Sequence, residues 1–118
     1  MKVSVGTDIV DIARFRQRPF KQNKTFYENV FSKEETTYCL SKPDPFPHFA
    51  ARFAAKEAII KAVPALKSVG LSTIEICRDA ASVSVRVSKK GVRANDIAIS
   101  LSHVGEYALA CAVYNYRD

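Results

Sequence analysis

Cysteine is scarce in this chain and badly spaced for cross-linking. Cys39, Cys77 and Cys111 are far apart and odd in number, no Cys-x-x-Cys pair occurs, and the two histidines, His48 and His103, stand alone. That pattern excludes a disulfide framework and a structural zinc site, and it leaves buried free thiols. There is no internal repeat, low-complexity tract or linker. Charge interrupts every long apolar run, so no membrane span fits, and the first residues hold no apolar stretch long enough for a signal peptide. The expectation is a cytoplasmic protein with no membrane partner. Acids are missing between Asp11 and Glu28, a stretch that carries Arg14, Arg16, Arg18, Lys21 and Lys24.

What is present fits one domain over residues 1–118. The chain is 47% apolar and 25% charged, ordinary for a globular domain that buries roughly two-thirds of its unfolded surface. Eighteen Lys and Arg against twelve Asp and Glu give +6. Such a balance implies an anionic partner, whether nucleic acid, phosphate compound, acidic protein or membrane surface.

Residues 2–6 alternate and predict a short strand ending at Gly6. Asp11 to Arg18 reads as a short helix stopped by Pro19. Ser32 and Glu35 have capping-box spacing, which predicts a helix from Lys33 to Leu40. Pro43, Pro45 and Pro47 predict a rigid extended connection. From His48 to Val63 every signal is helical, up to Pro64. Residues 73–78 and 82–88 alternate as a hairpin, residues 97–102 form a strand, and Tyr107–Tyr116 returns as another. The last strand is apolar on both faces, Ala108, Ala110 and Ala112 on one and Leu109, Cys111 and Val113 on the other, so it is expected to be buried on both. The sum is an α+β fold: N-terminal helices, including one long central helix, packed on a mainly antiparallel β-sheet.

The long helix has no clean polar face. Arg52 and Lys56 lie at i and i+4, where two cations repel by a few tenths of a kcal/mol, so an anion over them is expected. Glu57 and Lys61 have the same spacing in the favourable order. A carboxylate on a nearly all-apolar helix is costly unless satisfied, and either a metal ion or Lys61 would do so. Asp8 stands three residues before Asp11. Asp11 alone suffices to cap the helix start, so Asp8, expected at a strand end, is either a further cap or a carboxylate placed for metal and phosphate chemistry. His103 closes Ser100-Leu101-Ser102-His103 beside, not among, the two serines.

Three segments together resemble the holo-acyl-carrier-protein synthases, the short class of phosphopantetheinyl transferases: Gly6-Thr7-Asp8-Ile9-Val10-Asp11-Ile12, Arg52-Phe53-Ala54-Ala55-Lys56-Glu57-Ala58-Ile59-Ile60-Lys61-Ala62, and Ile99-Ser100-Leu101-Ser102-His103. The likeness spans nearly the whole chain, and its Arg-Phe-Ala-Ala-Lys-Glu-Ala core is highly specific. It implies Mg²⁺-dependent transfer of phosphopantetheine from coenzyme A to a serine of apo acyl carrier protein, with release of adenosine 3′,5′-bisphosphate. It implies a homotrimer with active sites between subunits. By the same resemblance Asp8 and Glu57 match the metal carboxylates and Lys61 the lysine facing the reacting phosphate. Arg52, Lys56 and His103 match positions near the coenzyme A phosphates. Glu57 and a metal-bound water are both candidate bases for the serine proton. Arg14 matches a carrier contact, and Arg18, Lys21 and Lys24 extend that basic dock for an acidic carrier. The chain departs from the family at Ala51, usually glycine, in the loop 64–70, usually Gly-rich, and in the hairpin turn at Asp79, Ala80 and Ala81.

The alternative is a basic nucleic-acid-binding module. The 14–24 stretch with Phe15, Phe20, Phe26 and Tyr27 interleaved allows it. It leaves Asp8 and Glu57 without a role, since bare carboxylates repel phosphate.

Overall fold

The computed structural model describes residues 2–78 and 82–117. In chain order they form β1 (Lys2–Asp11), α1 (Ala13–Arg16), α2 (Lys24–Val30), α3 (Lys33–Leu40), α4 (Phe46–Ala62), β2 (Ile74–Arg78), β3 (Val83–Val87), β4 (Ile97–Val104) and β5 (Tyr107–Tyr116), with single 3₁₀ turns in several connections. The layout is α+β, as expected. One antiparallel sheet has the order β1-β5-β4 and a second consists of β2 and β3. No helix among the described residues is long and apolar enough to cross a membrane.

The larger sheet lies against α4 because both surfaces are built from small residues. Ala108, Ala110 and Ala112 of β5 and Ala50, Ala54, Ala58 and Ala62 of α4 are all buried. Strand alternation puts Gly6, Asp8 and Val10 of β1 on that inner face, paired with Ala112, Ala110 and Ala108. His103 shares the face, opposite Ala108 from the other side. On the opposite side of α4 an aromatic cluster closes the core: the Tyr27 ring lies 4.7 Å from Phe49, and Phe31 5.0 Å from Phe49. The buried Tyr27 hydroxyl donates to the Arg18 carbonyl at 2.6 Å.

Several expectations need correction. The first strand does not stop at Gly6 but runs to Asp11, so Asp8 lies within the strand. Glycine marks a close approach there, not a turn. The first helix is a single turn, Ala13–Arg16, and Asp11 Oδ1 does accept the Ala13 N–H, at 3.0 Å. The basic stretch continues into a helix, α2, that no pattern announced. The proline-rich connection is shorter than expected, because α4 already begins at Phe46 with Pro47 in its first turn. Proline is tolerated there, since the first-turn N–H groups have no helical acceptor. The α3 bounds and its capping box hold as expected: Ser32 Oγ accepts the Glu35 N–H, and Glu35 Oε1 accepts the Ser32 N–H. Of the three free cysteines only Cys39 is buried, and burial pushes its thiol up to about 12. The turn at residues 79–81 lies outside the described residues.

Within one chain β5 is buried on its alanine face alone. On the other face Leu109 and Val113 are exposed, beside Val5 (58% exposed) and Ile9 (63%) of β1.

Candidate active site

The approach of β1 to α4 assembles the site. Gly6 sits so close to α4 that an added Cβ would collide with the Ala58 carbonyl and stand 2.8 Å from Ala62 N. Ser4, two residues earlier on the same face, donates to the Ala62 carbonyl. Two residues after Gly6, Asp8 therefore reaches the flank of α4. Lys61 Nζ donates to the Thr7 carbonyl at 2.9 Å and lies 3.3 Å from Asp8 Oδ1. Glu57, one turn before Lys61, is half-buried. Its pKa is raised, first by burial and then by the negative field of Asp8, while Lys61 and Arg14 oppose the rise.

The expected trio, Asp8, Glu57 and Lys61, thus meets from two elements. A carboxylate whose ionisation is made costlier by burial and by a neighbouring carboxylate is an unfinished electrostatic arrangement, and a divalent cation would complete it. Among the described residues no three His, Cys, Asp or Glu side chains cluster as a metal cage. Two carboxylates, with remaining positions left to phosphate oxygens and water, suit Mg²⁺ better than calcium or zinc.

A second feature lies toward the N-terminal end of α4. A cleft of about 430 Å³ is lined by Tyr38, His48, Arg52, Arg78, Ser102 and His103, among others. Arg52 is 3% exposed. Its guanidinium stacks 4.2 Å from the Tyr38 ring centre, and its Nη1 donates to the His48 carbonyl at 3.3 Å. Arg52 Nε is buried with no partner among the described residues. Sequence reasoning found Arg52 and His103 here. It missed His48 and Arg78, which come from a helix start and a distant strand end and carry no local signal.

Lys56 is the clear correction. It was expected near the coenzyme A phosphates, but its side chain is fully buried. Its ammonium is used up by the Val30 carbonyl at 2.6 Å, Glu35 Oε1 at 2.7 Å and the Leu71 carbonyl at 3.2 Å. Glu35 Oε2 in turn accepts the Ile76 N–H at 2.8 Å. Lys56 points into the protein and ties α4 to α2, α3 and β2, so no donor is left for a solvent-borne phosphate.

The basic residues Arg14, Arg18, Lys21 and Lys24 are all exposed. Arg14 lies over Phe53 at 5.5 Å and Arg18 over Phe26 at 4.5 Å. Arg16 is different, because it is committed to Asp44 at 2.9 Å and Glu106 at 2.7 Å.

Comparison with known proteins identifies the family. The model of the 4′-phosphopantetheinyl transferase superfamily matches residues 4–112. A holo-[acyl-carrier-protein] synthase of Cytophaga hutchinsonii is 43% identical over 94% of this chain and 95% of its own length. One from Chlamydia felis is 39% identical over 92% and 93%. Among solved structures, a Chronobacterium ammoniagenes ACPS-CoA complex superposes with a TM-score of 0.81 at 27% identity, each chain fully covered. A Bacillus anthracis holo-(acyl-carrier-protein) synthase in complex with CoA (3′,5′-ADP) gives 0.75 at 28% identity, with 94% of each chain covered. By family match, sequence identity and fold, this chain is an enzyme that belongs to the holo-[acyl-carrier-protein] synthase family of the 4′-phosphopantetheinyl transferase superfamily.

Proposed function

We propose that this enzyme transfers phosphopantetheine from coenzyme A to a serine of apo acyl carrier protein, with Mg²⁺, releasing adenosine 3′,5′-bisphosphate. The observation that carries the proposal is the meeting of Asp8 and Glu57 beside Lys61 on facing elements. The family's relatives bear the matching name, and solved neighbours are complexes with coenzyme A.

Asp8 and Glu57 are the residues that would hold Mg²⁺, which when bound neutralises and polarises the pyrophosphate. Lys61, 55% exposed at its side chain, is free to swing from Asp8 toward a phosphate oxygen. Phosphoryl transfer asks the protein for position and charge more than for covalent chemistry. The serine Oγ forms a bond to the phosphorus on the pantetheine side. The bond from that phosphorus to adenosine 3′,5′-bisphosphate breaks, and the serine proton leaves. Glu57 and water at the site are the two candidates to accept that proton. Arg52 and His103 line the cleft suited to the remaining phosphate. The acidic carrier docks on Arg14, Arg18, Lys21 and Lys24.

The proposal includes a cytoplasmic homotrimer with sites between subunits. Its support is the exposed apolar sheet face of Val3, Val5, Ile9, Leu109 and Val113, which neighbouring copies of the chain would cover around a three-fold axis. Sedimentation equilibrium should give three chains, and a fully active monomer would contradict this. The activity is tested by incubating the enzyme with coenzyme A, Mg²⁺ and apo carrier. The carrier should gain one phosphopantetheine, adenosine 3′,5′-bisphosphate should appear in equal amount, and chelation should stop both. An unmodified carrier would refute the proposal.

A further inference from the structure

We propose that His48 is a ligand for the phosphate monoester of coenzyme A and binds it as the imidazolium. The inference rests on the coenzyme A reading above.

Coenzyme A carries two anionic groups, a pyrophosphate and a phosphate monoester. If the pyrophosphate lies at Asp8, Glu57 and Lys61, the monoester needs a separate cationic receptacle. The cleft at the start of α4 is one. Among its described lining residues there is no carboxylate, and Arg52, His48, Arg78 and His103 all border it. Arg52 supplies a buried donor, its Nε, that has no partner among the described residues. A buried guanidinium N–H without an acceptor is costly unless a ligand pairs with it.

His48 lies one turn before Arg52 on α4, and its own carbonyl holds the Arg52 guanidinium. Its ring meets Tyr38 of α3 edge-on at 6.0 Å. The charged groups around it are predominantly positive: Arg52 on α4, Lys42 from the α3–α4 connection (4.6 Å from the same Tyr38 ring), Arg78 at the end of β2, and His103 on β4. The opposing acid, Asp44, is held by Arg16 at 2.9 Å. Burial first, then Arg52, Lys42 and His103, hold the imidazole below its usual range. Alone in this cleft, His48 is therefore neutral at pH 7. A phosphate dianion beside it reverses the sign of the local field and favours the imidazolium. Binding then takes up a proton. By linkage, affinity rises up to about tenfold for each unit the pH falls between the free and bound pKa values of His48. The window ends near pH 6, where the monoester itself protonates.

Isothermal titration of coenzyme A and of 3′-dephospho-coenzyme A, at pH 7.5 in buffers of different ionisation enthalpy, tests this. Coenzyme A should take up close to one proton and its dephospho form none. His48→Gln should abolish the uptake and weaken coenzyme A about tenfold. His48→Arg should bind coenzyme A with no uptake and little pH dependence. Uptake that survives His48→Gln, or a wild type that takes up none, would overturn the role of His48 while leaving phosphopantetheine transfer standing. Equal affinity for the two nucleotides would do the same. No binding of either nucleotide would overturn the transferase reading, and this inference with it.

Discussion

Gly6 of β1 and Ala58 of α4 approach so closely that no side chain fits between them. Gly6 has no positive φ, so its requirement is space and not conformation. Gly6→Ala should cost about 3 kcal/mol or more, at the upper end for overpacking, because the collision is with backbone. It should also lower turnover by moving Asp8 away from Glu57. Chemical denaturation and an activity assay check both, and an unchanged midpoint would mean that the strand yields freely.

Lys56 and Glu35 form a buried ion pair that no ligand completes. Lys56→Met leaves Glu35 charged and unpaired, and should destabilise by about 3–5 kcal/mol. Adding Glu35→Gln should restore part of that loss, because a neutral pair avoids the desolvation. A Lys56→Met protein with full stability and a weakened affinity for coenzyme A would show instead that Lys56 faces the ligand.

Arg16 holds both Asp44 and Glu106 below the ordinary carboxylate range by direct hydrogen bonds. Carboxyls so lowered stabilise the fold above their ordinary pKa, near 4, and lose that contribution as pH falls through the lowered values. All three groups are exposed, so the effect is small. The fall in Tm from about pH 6 to about pH 2.5 should be smaller in Arg16→Gln than in wild type. Equal falls would make the tie energetically idle.

Carrier docking and chemistry should separate at Lys21 and Lys24. Reversing both to Glu should raise the carrier's KM strongly and leave coenzyme A affinity within a few-fold, since like charges repel across an interface. Arg14→Glu should disturb both, because the charge of Arg14 opposes the rise in the Glu57 pKa. If the Lys21 and Lys24 reversals leave KM unchanged and added salt does too, the carrier docks elsewhere.

The legible parts of this protein are those with local causes. Ser32 and Glu35 announce α3 because a capping box is complete within four residues. Alternation announces the strands, and the spacing of Glu57 and Lys61 announces one side of the site. The failures share a different cause. Gly6 looks like a stop, because a glycine that admits a helix is indistinguishable in sequence from one that ends a strand. Pro47 looks like a helix breaker, yet it occupies the one turn where its missing N–H costs nothing. Lys56 looks like a ligand contact, because its partner Glu35 is 21 positions away and no pattern links them. The outer face of β5 reads as buried because alternating apolar residues look the same in sequence whether or not a surface covers them.

The central claim is that Asp8 and Glu57 serve chemistry and not architecture. It is tested most directly by phosphopantetheine transfer, read as carrier mass at saturating Mg²⁺, in Asp8→Asn and Glu57→Gln beside wild type. Both variants should keep the wild-type circular dichroism spectrum and lose nearly all transfer. Near-normal turnover in either, or a loss of fold without a specific loss of transfer, would contradict it.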